Sequence, residues 1–113
     1  MEQITVIREF DGKIVKKNKT YTVIDNTSLK GLVVSKTVLH PQKETGGHEH
    51  EGQEEVYQFV HGHGKMQINE TLFDVGPTDV VLIEDGVFHK VYNDSEVDDL
   101  VFICVFDGKR NHP

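Results

Sequence analysis

His48 and His50 are separated by a single residue in a glycine-rich segment. If this segment is extended, both imidazoles project from the same side of the chain and can converge on one ion. Glu55 follows at the start of the next apolar stretch, and His89 lies farther along, after an Asp-Gly pair. Three imidazoles and one carboxylate suit Fe(II), Mn(II), Ni(II), Zn(II) or Co(II). The spacing therefore predicts one divalent transition metal of open identity, with His48, His50, Glu55 and His89 as its ligands.

The histidines also allow an interpretation without a metal, and the chain contains a second pair of them. The stretch GGHEHEGQEE is polar and glycine-rich, so His48 and His50 can also belong to a solvated loop. His61 and His63 form a second pair with the same spacing. Six extended residues separate Glu55 from His61, a span of about 20 Å, so one ion cannot bind both. We assign His61 and His63 no role in the site.

Two further residues are candidates for catalysis. Tyr57 lies two residues beyond Glu55, so it shares a face with that carboxylate in the predicted strand EEVYQFV. Lys36 stands mid-strand in GLVVSKTVL, between Val34 and Val38 on its own face. If Lys36 points inward, it can bind an anionic substrate or take part in proton transfer. The alternatives are core packing for Tyr57 and a position at a rim or dimer interface for Lys36.

The composition favours the elements that would position these residues. The chain of 113 residues has 16 Val, 7 Ile and 8 Thr against 6 Leu and no Ala. β-Branched side chains lose rotamer freedom in a helix and pack well on a pleated surface, so the composition predicts an all-β fold. A chain of this length supports one hydrophobic core, and we expect a single domain over residues 1–113.

Charge and cysteine content exclude several classes of partner. The net charge of -7 disfavours nucleic acid and anionic lipid. No apolar run is long enough to cross a bilayer, and the N-terminus has no signal peptide pattern. Cys104 is the only cysteine and lies in the apolar run LVFICVF, which is compatible with a reducing cytoplasm. We therefore expect a cytoplasmic protein with a small-molecule substrate, no nucleic acid and no membrane.

Short β-rich runs recur along the chain and predict an antiparallel sandwich or barrel. We expect hairpins at Asn69–Glu70, at Asp85–Gly86 and between Asn93 and Glu96, and a polar tail over residues 107–113. The predicted strands are ITVIREF, TYTVID, GLVVSKTVL, EEVYQFV, KMQI, TLFDV, DVVLIE, VFHKVYN and LVFICVF.

Two stretches resemble the motifs of the cupin superfamily. GGHEHEGQEEVYQFVHGHG is similar to the first cupin motif at His48, His50, Glu55 and Gly62. The stretch DVVLIEDGVFHKVYN is similar to the second motif at three positions, Gly86, His89 and Asn93. Two turn positions depart from the motif, since Glu84 replaces a proline and Thr78 replaces a glycine. The alignment favours Glu55 over its neighbour Glu54 as the ligand, so Glu54 should face outward.

The resemblance implies a cupin-type jelly-roll β-barrel of the small, single-domain, conserved-β-barrel type, with the metal inside. It also implies a homodimer in which an N-terminal strand within residues 1–10, ITVIREF, pairs with the other subunit. The family includes isomerases, dioxygenases, decarboxylases and proteins without catalytic activity. We expect an isomerase-like enzyme that acts on a small sugar or sugar phosphate through an enediolate stabilised by the metal. The alternatives are an Fe(II)-dependent dioxygenase and a metal-dependent module that only binds a small ligand.

Overall fold

All regular secondary structure is β-strand in residues 4–49 and 51–108, the part of the chain that the computed structural model describes. No helix in that part is long and apolar enough to cross a membrane. The strands are β1 (Lys13–Lys17), β2 (Tyr21–Asn26), β3 (Leu32–Leu39), β4 (Glu55–His61), β5 (Gly64–Ile68), β6 (Thr71–Val75), β7 (Val80–Ile83), β8 (His89–Tyr92) and β9 (Leu100–Asp107).

The strands form two antiparallel sheets. The larger sheet has the strand order β1-β2-β3-β9-β4-β7, and the smaller sheet has the order β6-β5-β8. Residues from both sheets form one core, because alternate positions of each strand point to the same face. The largest fully buried side chains are Phe59, Phe102, Leu39, Met66, Leu100 and Val91. The all-β jelly-roll prediction is confirmed.

The predicted turns have two different roles. Asn69 and Glu70 join β5 to β6, which are neighbours in one sheet, so this hairpin is confirmed. The hairpin predictions at Asp85–Gly86 and after Asn93 were wrong. These turns connect β7 to β8 and β8 to β9, and each of those pairs lies in different sheets. The chain therefore crosses from one sheet to the other at these two turns, which brings β8 opposite β4 and β9.

The N-terminal segment differs from its prediction. Residues 4–10 of ITVIREF form no strand in the single chain, and the first strand begins at Lys13. Ile4 and Val6 are exposed, with relative exposures of 78% and 57%. A single chain offers no second subunit for this segment, so its pairing across a homodimer stays a prediction. At the other end, β9 runs to Asp107, and residues 109–113 of the predicted tail lie outside the described residues.

The turn before β7 contains a strained residue that the sequence comparison singled out. Thr78 has φ 78°, in the left-handed region that glycine occupies readily and a β-branched residue occupies at a cost. The turn is held by its backbone, because the Thr78 amide donates to the Phe59 carbonyl at 3.0 Å and the Phe59 amide donates to the Asp79 carbonyl at 2.9 Å. Thr78 therefore adopts the conformation for which a glycine in the motif is suited.

We expect Thr78→Gly to raise the free energy of unfolding by about 0.5 to 1 kcal/mol, since relief of the left-handed strain outweighs the entropy that glycine adds to the unfolded chain. Urea unfolding measures the change. The matched control is Thr71→Gly at the first residue of β6, where φ is not positive and the same substitution should lower stability. A loss of stability in both variants would contradict the assignment of strain to Thr78.

Candidate metal centre and the adjoining cavity

His48 is held beside β8 by the backbone of the segment that precedes β4. The His48 amide donates to the His89 carbonyl at 3.1 Å, and the His89 amide donates to the His48 carbonyl at 3.0 Å. Upstream, the Thr45 amide donates to the carbonyl of Val91 at 2.9 Å. This segment thus runs along β8 as a short extra ladder, which fixes where the His48 side chain emerges.

Charge and backbone conformation support the same segment. Lys90 donates to Glu44 at 3.0 Å, and this hydrogen bond with its ion pair raises the pKa of Lys90 above its ordinary value. Gly47 has φ 73°, and a side-chain carbon there would lie 2.8 Å from the ring of Phe88. Only glycine fits both the conformation and the close approach, so Gly47 lets the chain pass over β8 directly before His48.

Glu55 places its carboxylate in the interior at the first residue of β4. Its relative exposure is 4%, whereas the neighbouring Glu54 is exposed. β4 alternates between buried and exposed residues, with Glu55, Tyr57 and Phe59 on the inner face. This is the orientation that the motif spacing predicts. A carboxylate in such a position is costly to bury unless a cationic partner compensates it.

His89 meets this carboxylate from the opposite sheet. It begins β8, has a relative exposure of 2%, and its Nε2 lies 3.3 Å from Oε2 of Glu55. Its Nδ1 lies 3.0 Å from the carbonyl oxygen of Val87, which can only accept a hydrogen bond. Neutral His89 therefore carries its proton on Nδ1 and directs the Nε2 lone pair toward Glu55. A backbone carbonyl commonly orients a metal-binding histidine in this way.

His48, Glu55 and His89 together form a group that can hold a metal ion. One ligand atom from each residue lies within 4.8 Å of the others. The imidazole rings of His48 and His89 are 4.5 Å apart between centroids and nearly perpendicular. Two nitrogen donors and one carboxylate oxygen, with the tautomer of His89 already set, fit a divalent transition metal. His50, the fourth predicted ligand, lies outside the described residues, so its role stays a prediction.

Tyr57 and Lys36, the two candidate catalytic residues, lie on opposite sides of the larger sheet. Tyr57 is buried beside the metal group, with its ring 5.5 Å from that of His89 and stacked on Phe102. Lys36 lies opposite Ile24 and Ile103 in the paired strands, on the face that points away from the interior. Alternation along β3 produces this result, because Ser35 and Thr37 are the buried neighbours. The structure thus brings Tyr57 to the site and leaves Lys36 away from it.

A cavity of about 640 Å³ adjoins the metal group on the side of His48 and Tyr57. It extends along β3, β2 and β1 of the larger sheet. Its lining contains both apolar and polar side chains. The lining residues are Val15, Lys16, Tyr21, Val23, Asp25, Ser35, Thr37, Thr45, Gly46, His48, Tyr57, Phe102 and Phe106.

The polar lining of this cavity includes residues that the sequence analysis missed. The local sequence gives no sign that three of these residues line a cavity. They are polar positions within strands, namely Asp25, Ser35 and Thr37. Their common location depends on cross-strand register, in which Tyr57 pairs with Cys104, Cys104 with Ser35, and Ser35 with Asp25. Only after the pairing of β2, β3, β9 and β4 is known do Asp25 and Ser35 fall in one row, with Thr37 at the next inner position of β3.

The family model for the cupin domain matches residues 35–106. This match covers more than half of the chain and includes the metal group, so the chain belongs to the cupin family. A search of curated proteins found no match.

Several solved structures share the fold at low sequence identity. A protein described as a predicted oxalate decarboxylase from Thermotoga maritima has a TM-score of 0.78 and 21% identity, with 91% of this chain and 98% of that chain covered. KdgF from Halomonas sp. has a TM-score of 0.81 and 12% identity, with 96% and 97% covered. A cupin-2 domain protein from Rhodospirillum rubrum has a TM-score of 0.77 and 18% identity, with 91% and 72% covered. At these identities the likeness shows the fold alone.

Proposed function

We propose that this cupin is a metal-dependent enzyme that isomerises a small hydroxy-carbonyl compound of the sugar or sugar phosphate class. The observation that carries the proposal is the continuity between the metal group and a cavity with polar lining, since His48 belongs to both. His48, Glu55 and His89 would hold the metal, with His50 as the ligand that the spacing adds. A divalent metal supplies a Lewis acid that polarises a carbonyl oxygen.

The residues of the chain supply the remaining requirements of such a reaction. Tyr57 is buried next to His89 and lines the cavity, so we assign to its phenol group the transfer of a proton between the two neighbouring substrate carbons that the enediolate joins. Phe102 and Phe106 form apolar parts of the wall and limit the access of water. The hydroxyl-bearing side chains Ser35 and Thr37 are suited to orient a hydroxylated substrate.

Two features favour a sugar-like compound over a small dicarboxylate such as oxalate. The cavity is much longer than a two-carbon diacid requires, since it reaches from His48 to β1. Its lining also contains the hydroxyls of Ser35 and Thr37, which donate and accept hydrogen bonds with a hydroxylated compound. Lys16 is the lysine that lines the cavity, and it gives the anionic group of a sugar phosphate a cationic contact. We place the enzyme in the cytoplasm, where the buried thiol of Cys104 stays reduced.

Turnover by the metal-loaded protein tests the proposal. Protein loaded in turn with Fe(II), Mn(II), Ni(II), Zn(II) and Co(II) is incubated under nitrogen with aldoses, ketoses and their phosphates, and products are followed by NMR. We expect interconversion without oxygen, and we expect Tyr57→Phe to lower kcat at least about 100-fold while metal content stays constant, because a positioned proton-transfer group contributes that much.

The control variant is Lys36→Met, on the outer face of the same sheet, which should leave kcat unchanged. Oxygen uptake in proportion to product, with no reaction under nitrogen, would replace the proposal with the dioxygenase alternative. An absence of turnover with every metal would favour a binding module without catalysis.

A further inference from the structure

Asp25 lies at the far end of the cavity from the metal group, and the proposed mechanism does not use it. It occupies the inner face of β2, opposite Ser35 of β3 in the ladder. Ser35 pairs in turn with Cys104 of β9, and Cys104 pairs with Tyr57 of β4. Asp25 and Tyr57 are thus the two ends of one row across four strands. Three strand spacings of about 4.8 Å separate their backbones by about 14 Å.

The carboxylate of Asp25 contains a buried acceptor. Its Oδ1 is shielded from solvent and has no hydrogen-bond partner among the described residues. A buried acceptor without a donor costs about 1 to 3 kcal/mol, more when the group is charged, and native interiors rarely keep one. An inner-face position of a strand can hold an apolar residue. Val23, two residues before Asp25 on the same face of β2, is an example. Lys13 of β1 lies opposite Asp25 in the ladder but gives its Oδ1 no hydrogen bond, so the described part of the fold leaves this buried oxygen without a donor.

The surroundings of Asp25 indicate which kind of ligand would donate a hydrogen bond to its buried oxygen. A carboxylate only accepts hydrogen bonds, so its partner must donate, as an alcohol hydroxyl does. The side chains of Ser35 and Thr37 add two hydroxyl groups that both donate and accept, and Tyr21 offers an aromatic face for C–H groups. Lys16 lies beside this wall, with its Nζ 5.8 Å from the centroid of the Tyr21 ring. This combination matches a compound with several adjacent hydroxyls.

We infer that Asp25, Ser35 and Thr37 form a hydroxyl-binding subsite that holds the end of a polyhydroxylated substrate remote from the metal group. The inference rests on the proposed function, because it specifies the substrate class at the same cavity. Asp25 acts here as a binding residue that selects substrates by hydroxyl groups and by length. A two-carbon or three-carbon acid can reach the metal group but is too short to reach Asp25 as well.

Binding of xylitol tests the subsite apart from any reaction. Xylitol has five hydroxyls and no carbonyl, so the enzyme cannot isomerise it. Titration of the ¹⁵N-labelled protein, with and without Zn(II), should shift the amide signals of β2 and β3 most strongly. We expect Asp25→Ala to weaken xylitol binding about tenfold or more, because a hydrogen bond to a charged group is lost. Asp25→Asn, which keeps a neutral acceptor, should show a smaller loss.

Two binding comparisons and one stability measurement keep the result specific to Asp25. Glu70→Ala removes one negative charge from the exposed β5–β6 turn and should leave xylitol affinity unchanged. Malonate, a short diacid, should bind to metal-loaded wild type and Asp25→Ala with equal affinity, or more tightly to the variant. The urea midpoint of Asp25→Ala should equal or exceed that of wild type, since no hydrogen bond to Oδ1 is lost.

The outcomes separate this inference from the proposed function. Unchanged xylitol affinity in Asp25→Ala, shifts confined to residues outside β2 and β3, or a drop in the urea midpoint would overturn the hydroxyl-binding role. Asp25-dependent xylitol binding without turnover of any aldose or ketose would support the subsite and overturn the isomerase proposal. Turnover of sugars that is insensitive to Asp25→Ala in both KM and kcat would support the isomerase proposal and overturn the subsite.

Discussion

Glu55→Gln should abolish stoichiometric metal binding, whereas Glu54→Gln should not change it. The two carboxylates are adjacent in sequence, yet Glu55 is buried against His89 and Glu54 is exposed. The substitution keeps the volume of the side chain and replaces an anionic carboxylate ligand with a neutral amide, which binds a divalent transition metal more weakly. Changes to groups that only support a ligand cost 10-fold to 100-fold in metal affinity, so loss of a ligand should cost at least about 100-fold.

Metal content after purification without chelator and titration with Zn(II) measure this effect. The melting temperature gives a second readout, because a metal bound only by the folded state stabilises it by about 2.7 kcal/mol at a free concentration of 100 times Kd. Wild type and Glu54→Gln should gain this stabilisation, and Glu55→Gln should not. His89→Ala should behave like Glu55→Gln, while His63→Ala, at an exposed position, should behave like wild type. Equal metal content in Glu54→Gln and Glu55→Gln would show that the ion binds elsewhere.

The strands that alternate clearly were predictable from the sequence. In β4, Glu55 and Tyr57 were assigned to one face, and the structure buries both, together with Phe59. The segment KIVKK of β1 was missed, because three lysines obscure its apolar residues and all five positions are exposed at the edge of the larger sheet. An edge strand with one neighbour needs little apolar patterning, so its sequence carries a weak signal.

The candidate site was likewise predictable only in part. The closeness of His48, Glu55 and His89 followed from motif spacing, since a fixed order of ligands on one fold fixes where they meet. The face of Lys36 did not follow, because the apolar residues Val34 and Val38 lie on the outer surface of the sheet and Ser35 and Thr37 lie inside. In this strand the inner face contributes the hydroxyls of Ser35 and Thr37 to the cavity, which inverts the usual rule that apolar residues mark the core.

Asn93 illustrates how a motif position can be structural. It follows β8, has a relative exposure of 2%, and its side-chain amide donates to the carbonyls of Leu39, His40 and Asp98 at 2.9, 3.2 and 2.8 Å. Its Oδ1 accepts from the amide of Ser95 at 3.1 Å. One side chain thus joins the end of β3 to the turn between β8 and β9. Asp98 lies in this turn, outside both sheets, and Asn93 gives its carbonyl a donor.

We expect Asn93→Ala to lower the free energy of unfolding by about 3 kcal/mol, because carbonyls in a buried region lose their donor. For a domain of this size the melting temperature should fall by about 10 °C. Asn93→Asp separates the donor effect from packing, since it keeps the volume and the acceptor for Ser95 but turns a carboxylate toward the three carbonyls. Because that repulsion adds to the lost donors, the Asp variant should be at least as unstable as the Ala variant. Thermal unfolding measures both, and an Asp variant as stable as wild type would show that the amide donors contribute nothing at this turn.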